Sequence, residues 1–317
     1  MSTRLRIHAP AVLYFDAVRR AGSIREAARR LFVASSAVNR QILKLEEEIG
    51  APLFERLPSG VKLTAAGEIF ARHAIVVLQD AERARSELDA LKGLRSGHVE
   101  LATVEGLTTD LLPTVIVRLR QRHPNITIGI TTLGSQDIPE AVTSGAADLG
   151  LAFGLSRTAD LRQLTLARFR LGALVSPNHP LASRQEVSFA TCAPYPLVMA
   201  KPDLSVFHLL QPALQRSGVD PKGAIQSGSV ELSKELSRRG VGVSFQTRLG
   251  LEEELAREEL VHIPLNDNGP VFSDLGIYAR SGRALPVAVD AFARELGDEI
   301  SERECREPAC SARRLSE

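Results

Sequence analysis

Three cysteines, Cys192, Cys305 and Cys310, are spread over 317 residues. They are too few and too scattered for a disulfide framework or a four-ligand zinc site. The seven histidines show no paired metal-ligand spacing, so neither a metal nor any other cofactor is expected. Cys305 and Cys310 lie in the closing run SERECREPACSARRLSE, which lacks apolar periodicity; residues 301–317 are expected to be a disordered tail. Such thiols would be accessible, which leaves a redox role open, but nothing beside them marks a lowered thiol pKa. Long apolar runs are missing as well. No stretch of about 18 uninterrupted apolar residues occurs, so no transmembrane helix is expected. The opening MSTRLRIHAPAVLYFDAVRR interrupts its apolar residues with Arg and Asp and makes no signal-peptide core. A cytoplasmic chain with no membrane partner is the expectation. Absent too are a Gly-x-Ser-x-Gly elbow, a phosphate-binding glycine loop ending in Lys-Ser/Thr, and a His pair with a carboxylate base. These absences disfavour an enzyme.

The length implies two or three domains, and 44% hydrophobic with 24% charged residues is a globular composition. The net charge of +1 hides an asymmetry. Residues 1–64 carry eleven Lys/Arg against six Asp/Glu, and the remainder 28 against 32. Positive charge gathered on a short N-terminal module is the footprint of a polyanion partner, though a solvated helical surface can also reach it.

That module reads as three helices and a hairpin. The first helix, from about Pro10 to Ala21, buries Leu13, Ala17 and Val18, flanked by Val12 and Phe15. Gly22 ends it, and Ser23 with Glu26 spells a capping box for a short helix, Ile24 to Leu31. Ser35 or Ser36 is expected to cap a third helix with Val38, Ile42, Leu45 and Ile49 as its buried stripe. Two short helices across a tight turn, the second amphipathic, make a helix-turn-helix. Leu53-Phe54 and Val61-Lys62-Leu63 then read as strands around Pro58-Ser59-Gly60, turn chemistry that predicts a wing.

The run SIREAARRLFVASSAVNRQILKLEEEIGAPLFERLPSGVKLTAAGE, Ser23 to Glu68, resembles the N-terminal signature of LysR-type transcriptional regulators. It has the Ala-Ala pair, Leu-Glu-x-x-x-Gly, Leu-Phe-x-Arg and Leu-Thr-x-Ala-Gly in order. The resemblance implies a bacterial, nucleoid-associated regulator. It would bind a double-stranded DNA operator and a small-molecule effector, assemble as a dimer or tetramer, and meet RNA polymerase if it activates. Rival readings are a cytoplasmic small-molecule-binding protein, or an α/β enzyme with an accessory DNA-binding domain.

Thr64 caps a long helix to about Leu91. Phe70, Ala74, Val77, Ala81, Ala84, Leu88 and Leu91 follow the 4-3 spacing of a heptad seam. This predicts dimerisation, and in the resembling family the helix is the dimer linker. After the break at GLRSG (93–97) strands and helices alternate, which argues for right-handed βαβ units on a mainly parallel sheet. The fold class expected is therefore α/β: an α-rich N-terminal winged helix-turn-helix (residues 7–64), a linker helix and hinge (65–97), and a two-subdomain periplasmic-binding-protein-like effector domain. Its first subdomain takes residues 98–166. On the family resemblance the second takes 167–266, and 267–300 return to the first.

DNA specificity is expected from the start of the third helix: Ser35, Ser36, Ala37, Asn39 and Arg40. Asn39 suits adenine. Arg40 suits guanine or a phosphate, with both readings open. Lys44 is expected to face solvent or phosphate, and Arg56 and Lys62 on the wing to meet backbone or minor groove. Effectors in two-subdomain α/β folds bind at the C-terminal ends of strands. That points to Thr103, Glu105, Gly106 and Leu107, then Gly134 and Ser135, with Lys201, Ser205 and Ser229 from the second subdomain. Helix N-termini converging there favour anions. Glu105 opposes a simple carboxylate-binding picture and reads either as a partner for an amine or hydroxyl or as a solvated loop residue.

Overall fold

The computed structural model describes residues 10–91, 96–156, 158–218, 225–282 and 284–307, with side chains undescribed at 79, 82, 83, 85–87, 89–91 and 96. The chain divides into two units, the first ending at Gly97 and the second holding nearly all that follows.

In the first unit, glycine and serine punctuation sets the helices α1 (Pro10–Ala21), α2 (Ile24–Leu31) and α3 (Ser35–Ile49). Ser23 accepts a hydrogen bond from the Glu26 amide, so half of the expected capping box forms. The Glu26 carboxylate instead turns outward to Arg29 and Arg30. The start of α3 also departs from expectation. Its N-cap is Ala34, with no side-chain cap, and Ser35 and Ser36 are already helical. Strands β1 (Phe54–Leu57) and β2 (Gly60–Leu63) pair antiparallel with Leu57 opposite Gly60. Gly60 has φ +142°, and a Cβ there would lie 2.3 Å from the Gly22 carbonyl oxygen. That carbonyl accepts the Val61 amide, so the wing root docks on the end of α1 only without a side chain at position 60.

The helix α4 (Ala65–Leu91) follows. Its first turns complete the winged-helix core: Phe70 and Ala74 pack with Phe15, Val18, Ala27, Val38, Ile42 and Leu53, and the Phe15 and Phe70 rings meet edge to face at 4.8 Å. Those two positions of the heptad seam are thus spent inside their own domain. A 3.5-residue seam and a 3.6-residue core stripe coincide over the first turns and separate only later. Val77, Ala81 and Ala84 are half-buried and Leu88 is exposed; the Leu91 side chain lies outside the description. Ile49, expected in the α3 stripe, is exposed at its end.

The second unit runs β3 (Ser96–Thr103), a 3-10 turn (Glu105–Leu107), α5 (Leu111–Arg122), β4 (Asn125–Thr132), α6 (Ile138–Thr143), β5 (Leu149–Phe153) and β6 (Leu161–Val175). It continues α7 (Phe189–Cys192), β7 (Val198–Ala200), α8 (Ser205–Ser217), β8 (Ile225–Ser227), α9 (Val230–Arg238), β9 (Ser244–Thr247), α10 (Glu252–Ala256), β10 (Val261–Pro264), β11 (Phe272–Arg280) and α11 (Val287–Arg306). Seven strands form one sheet in the order β10-β6-β11-β5-β3-β4, with β9 also paired to β6, while β7 and β8 make a separate parallel pair.

The expectation of a mainly parallel sheet is corrected here. Strands β3 and β5 are parallel, but β11 runs antiparallel to both β5 and β6, and β9 and β10 antiparallel to β6. The cause is β6, fifteen residues long, whose first part pairs with β11 up to Arg170 and whose second part, from Leu171, pairs with β9 and β10. One strand therefore serves two halves. Ala102, Ile138, Val142 and Ala152 fill the core of the first half. Leu171, Phe189, Val243, Phe245 and Ile263 fill the second. The expected boundary at 166/167 falls inside β6, four residues before the partner switch. Residues 301–306, expected to be disordered, are the last turns of α11. Arg303 explains this. It is buried and bonds Asp110, Glu299 and Glu252. Cys310 lies outside the described residues.

Candidate nucleic-acid interface and ligand cleft

Burial of Val38, Ile42 and Leu45 fixes which side of α3 faces outward. Ser35, Ser36, Arg40 and Lys44 are exposed on it, with Ala37 and Asn39 half-buried. Because Ala34 supplies no cap, the first amides of α3 are not covered by a side chain of their own helix, and such amides favour anions. Arg56 on β1 donates to Asn39 Oδ1 at 2.8 Å. The hydrogen bond ties wing to recognition helix. Lys62 sits opposite Glu55 across the hairpin, also exposed. Lys44 pairs loosely with Glu48 at 3.7 Å. Glu26 holds both Arg29 and Arg30, and their hydrogen bonds pull its carboxyl down to about 2, which ties these two arginines to their own helix.

Two features escaped the sequence reading. Glu46 accepts the amides of Leu53 and Phe54 at 2.7 and 3.1 Å, which anchors the wing to α3. Phe32 closes α2 in the left-handed region (φ +56°) and is 95% exposed just ahead of α3. A bulky residue with positive φ beside a binding surface is a signal only once the backbone is known.

In the second unit a cavity of about 740 Å³, counting its open mouth, lies between the two halves served by β6. Of the nine cleft residues expected, Gly106, Ser135 and Ser205 line it. Thr103, Glu105, Leu107, Gly134, Lys201 and Ser229 do not. Thr103 and Leu107 are fully buried, and Lys201 is exposed, its amide bonded to the Ser227 carbonyl. Glu105 is neither a solvated loop residue nor directed into the cavity. Its carboxylate accepts Ser229 Oγ at 2.8 Å and the Val230 amide at 2.6 Å, so a residue of the first half caps α9 of the second. Ser229 caps α9 as expected, its Oγ accepting the Leu232 amide.

Most of the lining was not foreseen: Val104, Phe153, Val198, Leu204, Phe245 and Leu249 are apolar walls, and Gln246, Thr247 and Ser273 are polar. The missed polar set comes from β9 and the start of β11, whose approach to the cleft follows from the antiparallel pairing on β6. Among the described residues no group of His, Cys, Asp and Glu is arranged to hold a metal ion. Nor is any helix among them long and apolar enough to cross a membrane.

Family models match both units: the bacterial regulatory helix-turn-helix protein of the lysR family over residues 11–68, and the LysR substrate binding domain over 92–301. The chain is similar to the RuBisCO operon transcriptional regulator of Allochromatium vinosum, 27% identical over 92% of this chain and 96% of that one. It is also similar to the HTH-type transcriptional regulator CbbR of Rhodospirillum rubrum, 28% identical over 89% and 94%. Among solved structures, a full-length OxyR from Pseudomonas aeruginosa carrying one cysteine-to-aspartate substitution superposes with a TM-score of 0.75 at 19% identity, covering 92% and 95%. Full-length CbnR in complex with its target DNA gives 0.52 at 20% identity, covering 92% and 99%. These relatives are named as regulators, not enzymes. With a helix-turn-helix, an α/β effector domain and family matches over both, this chain belongs to the LysR family of DNA-binding transcriptional regulators.

Proposed function

We propose that Ser35, Ser36, Ala37, Asn39 and Arg40 read the operator in the major groove, while Arg56, Lys62 and Lys44 hold the flanking backbone or minor groove. The observation that carries this reading is the Arg56–Asn39 hydrogen bond, which makes helix and wing one surface. The Arg40 guanidinium is exposed on that surface and offers a two-pronged donor to guanine. The effector occupies the cavity between the two halves served by β6. By binding one arrangement of the two halves better than another, it shifts the regulator between two states on DNA. The α4 residues Val77, Ala81, Ala84 and Leu88 pair two chains, and two chains present two recognition helices to two half-sites. Contact with RNA polymerase belongs to this reading if the protein activates, and so does a cytoplasmic, nucleoid-associated setting.

A gel shift on the DNA upstream of the chain's own gene, against a scrambled competitor at near-physiological salt, tests the reading. Retention should survive the competitor, and Arg40→Ala should weaken specific binding by about 1–3 kcal/mol while leaving non-specific binding little changed. Equal loss to both DNAs would reduce the contact to charge alone.

A further inference from the structure

We propose that the effector is an uncharged small molecule with a mainly apolar body, because no charged side chain lines its cavity and Glu105 already occupies the start of α9. The inference rests on reading the cavity as the effector site. No charged side chain lines the cavity, so an anionic or cationic ligand would find no counter-ion there for the hydration it loses. Two helix N-termini reach the cleft. That of α8 lines the cavity through Leu204, Ser205 and Val206 without a side-chain cap and can meet a neutral carbonyl. That of α9 has amides and a cap hydroxyl that would otherwise be open to a ligand carboxylate. Glu105 already takes both, through Val230 N at 2.6 Å and Ser229 Oγ at 2.8 Å. An incoming carboxylate there must displace it or lie beside a like charge.

What the cavity does offer is neutral. Ser135, Gln246, Thr247 and Ser273 line it and are each more than nine-tenths buried. Their side chains make no hydrogen bond among the described residues. Buried polar groups are ordinarily satisfied, and a ligand carrying a hydroxyl, carbonyl or amide would satisfy these. Phe153, Phe245 and Leu249 would take its apolar body. Ser205, at the start of α8, adds a further hydroxyl to the lining, whereas two others are already used: Ser233 donates to the Ser229 carbonyl and Ser244 accepts from Ser237. The polar set open to a ligand is therefore small and uncharged, and it comes from both halves of the domain.

The test titrates the full-length protein calorimetrically with matched probes at millimolar concentration: benzamide, benzyl alcohol and cyclohexanol against benzoate and cyclohexanecarboxylate. At least one neutral probe should bind about tenfold or more tightly than its carboxylate partner. Ala200→Leu, which fills the cavity, should weaken that binding about tenfold. Glu105→Gln keeps the position occupied but removes the charge, and should narrow the neutral-to-anionic ratio about threefold or more; Glu105→Ala should narrow it further. If benzoate binds the wild type as well as benzamide and Ala200→Leu weakens both, the charge assignment is overturned while the cavity remains the site. If the probes bind wild type and Ala200→Leu alike, the reading of the cavity as the effector site is what fails. Failure of every neutral probe to bind, or a ratio untouched in both Glu105 variants, also overturns the proposal.

Discussion

A glutamate inside the run Glu46-Glu47-Glu48 would ordinarily be assigned to solvent, and two of the three are. Glu46 differs because the chain after Gly50 doubles back and presents the Leu53 and Phe54 amides to it. Residue-scale chemistry is set by such returns. Cys192 is a second case. Burial first, and then the Asp267 charge, push its thiol up to about 12. At about pH 8 almost none of it is thiolate, the reactive form. Iodoacetamide treatment of the native protein should leave Cys192 unmodified in peptide mass spectra, and labelling should follow once urea unfolds the chain. Rapid native labelling would mean that the second half opens readily.

At the scale of elements, the junction of β10, β6 and β9 carries a titratable group. His262 donates through Nε2 to the Gln246 carbonyl at 3.0 Å, and its Nδ1 has no partner. Burial holds its pKa down to about 4, against 6.5 unperturbed. The unfolded chain binds the proton more readily in that interval, so this contribution to stability is whole above about 6.5 and declines as pH falls toward 4. Urea denaturation at about pH 7 and about pH 5 should show His262→Gln losing about 2 kcal/mol less than the wild type between the two. An equal loss in both would assign the acid sensitivity to carboxylates elsewhere. The C-terminal turn of α11 invites a parallel test. Arg303→Met takes the cation from part-buried Asp110 and leaves the buried Glu299 with Arg118 alone, and should cost about 3 kcal/mol in the same assay. Truncation after residue 300 should cost at least as much, whereas a dispensable tail would cost nothing.

These two elements also mark where the sequence could and could not be read. The helices with a clear amphipathic stripe and a punctuating residue, α1 and α2, have the ends expected of them. Strand β6 escaped. Arg162, Gln163, Arg168 and Arg170 break its first part, and its last five residues are uniformly buried, so neither a two-residue alternation nor a plain apolar run extends through it. Missing β6 meant missing that β9 and β11 reach the cleft, and with them Gln246, Thr247 and Ser273. The end of α11 was lost for another reason. Its burial rests on Arg303 meeting Asp110, nearly two hundred residues earlier, and no local pattern reports such a pair. The helix-turn-helix was legible because it needs only local chemistry, a short capped helix, a turn and a second amphipathic helix.

At the scale of the whole molecule, a regulator that grips two half-sites gains from linking its two readers. In the dimer proposed above, the seam of α4 beyond the winged-helix core is the linking surface, and Leu88 on it is 47% exposed in the isolated chain. Leu88→Asp should shift the protein toward monomer in light scattering after size-exclusion chromatography, and should weaken operator binding roughly a hundredfold. An unchanged mass would move the assembly interface elsewhere.

The antiparallel insertion of β11 between β5 and β6 bears on the order in which the protein is born. Strands β5 and β6 leave the ribosome early, yet the strand that must lie between them is residues 272–280. At roughly 5–20 residues per second, the first half waits several seconds with two unzipped edges while the whole second half is synthesised. Unzipped edges are templates for pairing with other chains. A nascent chain halted before residue 272 is therefore a client for chaperones, and completion of β11 is the step that releases it.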